Sequence, residues 1–218
     1  MAIPDISPYP IPDRDALPGN TTRWAVDAGR AVLLIHDMQE YFLRPFDTGR
    51  PPLNVVLDAC ARLRDVAREA GVPVLYTAQP GGMSVADRGL LMDFWGPGMP
   101  ADPEQTAVVA PLRPDEGDRV LIKWRPSAFV RTGLLTLLHE LGRDQLVICG
   151  VYAHVGILTT ASDAFAWDIQ AFVVSDAVAD FSSALHVQAL TYAATRCAAV
   201  TTAEDVSVAF ARAGSVVS

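Results

Sequence analysis

The chain has almost no lysine. Of its 17 basic residues only one, Lys123, is Lys, and every other is Arg. A composition that accepts a guanidinium everywhere else leaves its single ammonium either where a compact point charge is required or on a surface by chance. Cysteine is scarce too. Cys60, Cys149 and Cys197 lie far apart, are odd in number and make no C-x-x-C pair, so neither a disulfide framework nor a zinc site is expected. His36, His139, His154 and His186 have no metal-type spacing between them, and metal binding is not expected. No apolar run approaches the roughly 20 residues that cross a bilayer. The opening Met-Ala-Ile-Pro-Asp-Ile-Ser-Pro has neither the basic nor the apolar region of a secretion signal, so a cytoplasmic setting is expected. No G-x-G-x-x-G follows the first strand, and Gly81-Gly82 lacks the spacing of a phosphate loop, which leaves no support for a nucleotide cofactor. Positive charge is short as well. A net charge of −8 and a pI near 4.9 argue against nucleic acid or an anionic membrane as partner.

What is present describes one α/β domain. The chain has 218 residues, 50% hydrophobic and 19% charged, which suffices for a full core. Residues 1–22 carry Pro4, Pro8, Pro10, Pro12 and Pro18 and predict an extended arm over the domain surface or a neighbouring subunit, outside the core. Residues 23–218 form the domain. Strands are predicted at about 30–36, 72–77, 119–122, 145–149, 169–175 and 197–201. Helices are predicted at 53–70, 131–141, 156–167, 183–195 and from about 203. The alternation implies a three-layer α/β/α, Rossmann-like fold with a mainly parallel sheet of about six strands. Residues 83–117 are irregular, and a long irregular insertion in such a domain is more often functional than idle.

Three strand ends hold the candidate chemistry: Asp37 after the first strand, Lys123 after the third, and the 150–156 turn after the fourth. In a doubly wound sheet these ends share one edge and can converge. Alone, Asp37 reads as readily as a helix cap or a salt-bridged structural carboxylate. Paired with the only Lys, it reads as functional. A nucleophile often sits at a strand–turn–helix corner like 150–156, but Gly156 takes that place, and no Ser or Cys lies between Gly150 and Leu158. Cys149 is expected buried in the strand, and His154 is expected to be a hydrogen-bonded structural residue. Phe42, Trp95, Trp124, Phe129 and Tyr152 lie on strand-end segments or in the irregular stretch, where some would line a pocket.

The runs Leu-Leu-Ile-His-Asp-Met-Gln, Ile-Lys-Trp-Arg and Gly-Val-Tyr-Ala-His-Val-Gly resemble the isochorismatase-like hydrolase superfamily. Residues 76–81, 88–91, 93–99 and 179–182 resemble its aryl-pathway branch, the isochorismatases and the phenazine-pathway enzyme acting on 2-amino-2-deoxyisochorismate. The superfamily's amidases use an Asp–Lys–Cys triad. Asp37 and Lys123 match its first two members, and Gly156 falls on the third, as it does in the isochorismatase branch. The resemblance implies a cofactor-free vinyl-ether hydrolase in which Asp37 protonates the enolpyruvyl methylene and no covalent intermediate forms. It implies that Lys123, Arg88 and Gln79 meet the carboxylates of a small dicarboxylate substrate, and that Phe42, Trp95 and Tyr152 wall the pocket. Gly156 would leave room for the ligand, and a homodimer is expected. Pro126 departs from the family's aromatic residue, as does the stretch from Arg44 to Pro52 in detail. A Cys-dependent amidase and a catalytically silent binding protein of the same fold are the competing readings.

Overall fold

Six apolar runs form the strands β1 (Ala31–His36), β2 (Val74–Ala78), β3 (Arg119–Ile122), β4 (Gln145–Val151), β5 (Gln170–Ala179) and β6 (Ala198–Thr201). The computed structural model describes residues 3–214. The strands pair in the order β3-β2-β1-β4-β5-β6, all parallel. The helices are α1 (Glu40–Leu43), α2 (Leu53–Glu69), α3 (Val85–Arg88), α4 (Leu91–Trp95), α5 (Pro103–Thr106), α6 (Leu134–Glu140), α7 (Leu158–Ala166), α8 (Ser183–Arg196) and α9 (Ala203–Gly214). This is the three-layer α/β/α arrangement that the alternating pattern predicts. No helix among the described residues is long and apolar enough to cross a membrane.

Strand periodicity sorts the core into two layers. Leu33, Ile35, Val147, Cys149 and Phe172 join Leu63 of α2 and Phe210 of α9 on one face. Val32, Leu34, Leu146, Ile148 and Val173 join Leu138 of α6, Ala161 of α7 and Leu190 of α8 on the other. Central strands covered on both faces read as continuous apolar runs, and β1 and β4 are buried along their whole length. The sheet order reverses between β1 and β4, so a crevice opens at their carboxyl ends.

Several boundaries differ from the sequence expectation. The fourth strand does not end at residue 149 but runs through Gly150 to Val151, and a π-helical turn at Ala153–Ile157 precedes α7. Gly150 holds φ +112°, and a Cβ there would lie 2.2 Å from the His36 carbonyl oxygen. It is a strand glycine that lets β1 and β4 approach, not the start of the turn. The fifth strand extends past 175 because the polar residues Ser175 and Asp176 are satisfied in place. Ser175 donates to the Thr201 carbonyl at 3.0 Å, and Asp176 accepts from the Ala203 amide at 2.7 Å. The irregular stretch contains α3, α4 and α5 in short pieces.

The described part of the proline-rich segment has no regular structure beyond a 3-10 turn at Arg14–Ala16, and, contrary to the expectation, it contributes to the core. Ile6 and Tyr9 are buried within the α2-side layer, and their amides donate to the Pro45 and Pro51 carbonyls at 3.0 and 3.1 Å. The Tyr9 hydroxyl accepts from the Asp180 amide at 2.7 Å. Prolines set the extended backbone, and the apolar residues between them decide where it lies. Further on, Asn20 pairs its side chain with both the amide and the carbonyl of Val200, which covers the open edge of β6.

Gly150→Ala combines a forbidden φ with a backbone clash between two central strands. It should cost at least about 3 kcal/mol, read as a fall in the urea midpoint. An unchanged midpoint would mean that the strands part easily at this point.

Candidate active site

Asp37 is the first residue beyond β1, and it enters the crevice with φ +52°, a left-handed conformation uncommon for a residue with a side chain. Neighbouring strands hold it there. In the β1–β2 register His36 stands beside Thr77. The Asp37 amide donates to the Thr77 carbonyl at 3.2 Å, and the Thr77 hydroxyl donates to Asp37 Oδ1 at 2.6 Å. Gln79, just past β2, donates from Nε2 to Asp37 Oδ2 at 3.2 Å. Lys123, the residue after β3, places Nζ 2.8 Å from the same Oδ2. Its remaining two N–H groups go to the Arg125 and Pro126 carbonyls at 2.9 and 3.2 Å. The side chain is wholly buried, which explains why the one Lys of the chain sits here: a guanidinium would not fit three converging oxygens at this depth. Burial alone would push the Asp37 carboxyl up. The electrostatic influence of the His36 imidazole, the Lys123 ammonium and the hydrogen bonds from Lys123 and Thr77 outweigh it and hold the carboxyl below its usual range.

The pair lies at the base of a crevice at the carboxyl edge of the sheet. Phe42, Trp95 and Tyr152 line it, as the sequence predicts, together with Tyr41, Met99 and Phe181. The aromatic rings brace one another. Tyr152 lies 4.5 Å from Phe181 and stacks on Phe46 at 5.9 Å, and its hydroxyl donates to the Phe42 carbonyl. Trp95, from the irregular stretch, meets Phe181 edge-on at 6.0 Å. Trp124 and Phe129 are not among the lining residues; Phe129 packs instead against the α6–α8 layer of the core.

Arg88 also lines the crevice and is only 6% exposed. Its Nε donates to the Gly96 carbonyl at 2.8 Å, and the guanidinium lies over Gly98, where a Cβ would come within 2.7 Å of Cζ. Among the described residues no carboxylate pairs with it. A buried guanidinium is suited to pairing with a carboxylate. The loop that carries Arg88 is tied to the sheet through buried Gln39, whose Nε2 donates to the Gln79 and Thr106 carbonyls at 3.0 and 2.8 Å.

The isochorismatase-domain family model matches residues 31–205. The chain belongs to the isochorismatase family. It is 53% identical over 204 residues to the phenazine biosynthesis protein PhzD of Pseudomonas fluorescens, covering 94% of this chain and 98% of that one. It is 48% identical over 205 residues to enterobactin synthase component B of Escherichia coli, covering 94% and 72%. Among solved structures, a cysteine hydrolase from Pseudomonas syringae pv. phaseolicola superposes with a TM-score of 0.78 at 25% identity, covering 88% of this chain and 97% of that one.

Among the described residues no Ser, Thr or Cys lines the crevice. Cys60, Cys149 and Cys197 are free and buried elsewhere. Gly156 does line the crevice, but the space it leaves is not open to a ligand. A Cβ at 156 would meet His36 Cε1 at 2.2 Å and Nε2 at 2.9 Å, so the room is filled by the imidazole. The expectation that Gly156 accommodates substrate is thus corrected. Sequence reading missed this pairing, since nothing local links positions 36 and 156. It also missed Thr77 and Phe181, although a polar residue near the carboxyl end of an apolar strand and an aromatic just beyond another were visible signals. Ile3, which also lines the crevice, left no such signal. His154 is structural, as expected, its amide and Nδ1 both donating to Asp180.

Removing one partner of a buried ion pair strands the other. Asp37→Asn and Lys123→Met should each destabilise the free protein by about 3 kcal/mol, and the double variant should recover most of that loss. Because the Asp37 pKa is depressed on folding, the pair's stabilisation is present above the unfolded carboxyl pKa and is lost as pH falls through the folded value. Denaturation midpoints against pH should therefore show an acid limb that Asp37→Asn lacks; equal losses at every pH would place the pair's contribution elsewhere.

Proposed function

We propose that this protein hydrolyses the vinyl ether of 2-amino-2-deoxyisochorismate, of isochorismate, or of both, releasing pyruvate. The observation that carries the reading is an Asp–Lys pair at the base of an aromatic crevice whose lining, among the described residues, holds no Ser, Thr or Cys. The close relatives support it, as does the unpaired guanidinium of Arg88, which fits a carboxylate.

Asp37 acts as the general acid and gives its proton to the terminal methylene carbon of the enolpyruvyl group. The resulting oxocarbenium ion takes up water, which loses a proton, and the hemiketal collapses. Its C–O bond breaks to give pyruvate and the ring alcohol, trans-2,3-dihydro-3-hydroxyanthranilate or 2,3-dihydro-2,3-dihydroxybenzoate. No bond to the protein forms. Phe42, Trp95 and Tyr152 exclude bulk water, Arg88 and Gln79 receive the carboxylates, and Lys123, whose three N–H groups are already engaged, acts on them through its charge. Pro126 lies on the crevice wall and presents its carbonyl to Lys123 at 3.2 Å, so the departure from the aromatic residue that the family resemblance implies falls on the wall nearest the ion pair. A homodimer and a cytoplasmic setting belong to the same proposal on the family resemblance.

The acid faces an electrostatic obstacle, since Lys123 keeps Asp37 ionised in the free protein. A dicarboxylate brought next to Lys123 supplies competing negative charge and favours the protonated acid. Binding should therefore take up a proton.

Purified protein given each substrate separately should yield pyruvate in a coupled lactate dehydrogenase assay, and the ratio of efficiencies assigns the ring substituent. Asp37→Asn should lower kcat by about a thousandfold while still binding substrate. Because the free-enzyme pKa of Asp37 is low, the active protonated form is scarce at neutral pH. The kcat/KM should then fall about tenfold per unit as pH rises from about 6 to 8. Folded protein that yields no pyruvate from either compound would sink the reading.

A further inference from the structure

We propose that His36 keeps this site free of a nucleophile: its imidazole fills the volume that a side chain at position 156 requires, so His36 and Gly156 act as an exchange pair. The distances are unforgiving. A Cβ on Gly156 would stand 2.2 Å from Cε1, 2.9 Å from Nε2 and 3.1 Å from Nδ1, so it would fall against the ring as a whole. Nor can the ring retreat freely. It is 1% exposed, it closes the central strand β1, and its Nδ1 lies 2.8 Å from the Val151 carbonyl. A carbonyl only accepts, so Nδ1 carries the proton and the ring is tied to the segment that leads into the Ala153–Ile157 turn.

Shape alone does not account for the imidazole. An aliphatic side chain would fill the same space, whereas this ring leaves Nε2 buried without a partner. Nδ1 also stands 3.8 Å from Asp37 Oδ2, so the ring packs directly behind the acid. His36 is therefore a positioning residue. It blocks position 156, anchors the turn through Val151 and backs the carboxylate. A smaller residue at 36 would free space beside Asp37 and Lys123 for a thiol at 156, and the thiol proton would have Asp37 as its acceptor.

This inference rests on the hydrolase reading only for its meaning in turnover; its test does not use substrate. Gly156→Cys and the double variant His36→Val with Gly156→Cys would be treated with iodoacetamide at pH 7 and mapped by peptide mass. In that reaction the S–C bond forms, iodide leaves and the thiol proton passes to Asp37. Cys60, Cys149 and Cys197 are buried, which keeps the background low. Cys introduced at 156 in the double variant should react at least about tenfold faster than in the single variant, and adding Asp37→Asn should slow it again by a similar factor. A single variant as stable as the parent and as reactive as the double would overturn the proposal. Should the double variant fold poorly, Gly156→Ala serves instead. It should lower Tm by about 10 °C in the parent and by less than about 3 °C in the His36→Val background. Equal shifts in the two backgrounds would show that residues 36 and 156 are independent and refute the exchange pair.

Discussion

Burying an ammonium and a carboxylate together is costly, because each loses several kcal/mol of hydration that their attraction restores only in good geometry. At Asp37 and Lys123 the geometry is supplied by the ends of three adjacent strands. β1 gives the carboxylate, β2 gives Thr77 and Gln79 to its oxygens, and β3 gives the lysine, whose other protons go to the Arg125 and Pro126 carbonyls. Every polar atom of the pair is thus accounted for by a residue at the end of a strand or in the loop just beyond it. Pull β3 away, and Lys123 leaves a charged carboxylate in an apolar wall. The edge strand is short and partly exposed, yet the ion pair gives its carboxyl end a fixed place.

The same pair sets the electrical character of the crevice. The chain as a whole carries a net charge of −8, which would repel a dianion at long range. Inside, the balance reverses: Asp37 and Lys123 cancel, and Arg88 remains as a buried cation without an acidic partner among the described residues. Burial tends to lower the pKa of such a group, and Arg88 is shifted in that direction. Arginine tolerates this position because its starting value is so high. The irregular stretch delivers it by packing the guanidinium onto Gly98, the one surface there that a side chain would have blocked.

How much of this was legible in the sequence depends on how local the cause is. Asp37 and Lys123 stood out because strand-end position and the rarity of lysine are both visible along the chain. The layers were legible because β1 and β4 are apolar on both faces, as only a covered parallel sheet allows. The length of β5 was not, because Ser175 and Asp176 look like loop residues until the partners that satisfy them, Thr201 and Ala203, are in place. Ile6 and Tyr9 were hidden by the prolines around them. Gly156 was read correctly as a space and wrongly as to its occupant, since the occupant lies 120 positions away in the chain.

That last error points to how the centre is assembled. Gly150, inside β4, and Gly156, in the turn that follows, both give way to the same residue. A Cβ on Gly150 would strike the backbone of His36, its oxygen at 2.2 Å and its nitrogen at 2.9 Å, and a Cβ on Gly156 would strike its ring. The two glycines therefore do not act mainly by loosening the turn. They let the end of β1 press into it, main chain against β4 and side chain against the π-helical segment. With His36 locked on both sides, the next residue has little freedom left, and Asp37 leaves the strand with a positive φ straight toward Lys123. The direction of the acid is thus fixed by the close fit of the residue before it, and that fit is possible only because positions 150 and 156 carry no side chain.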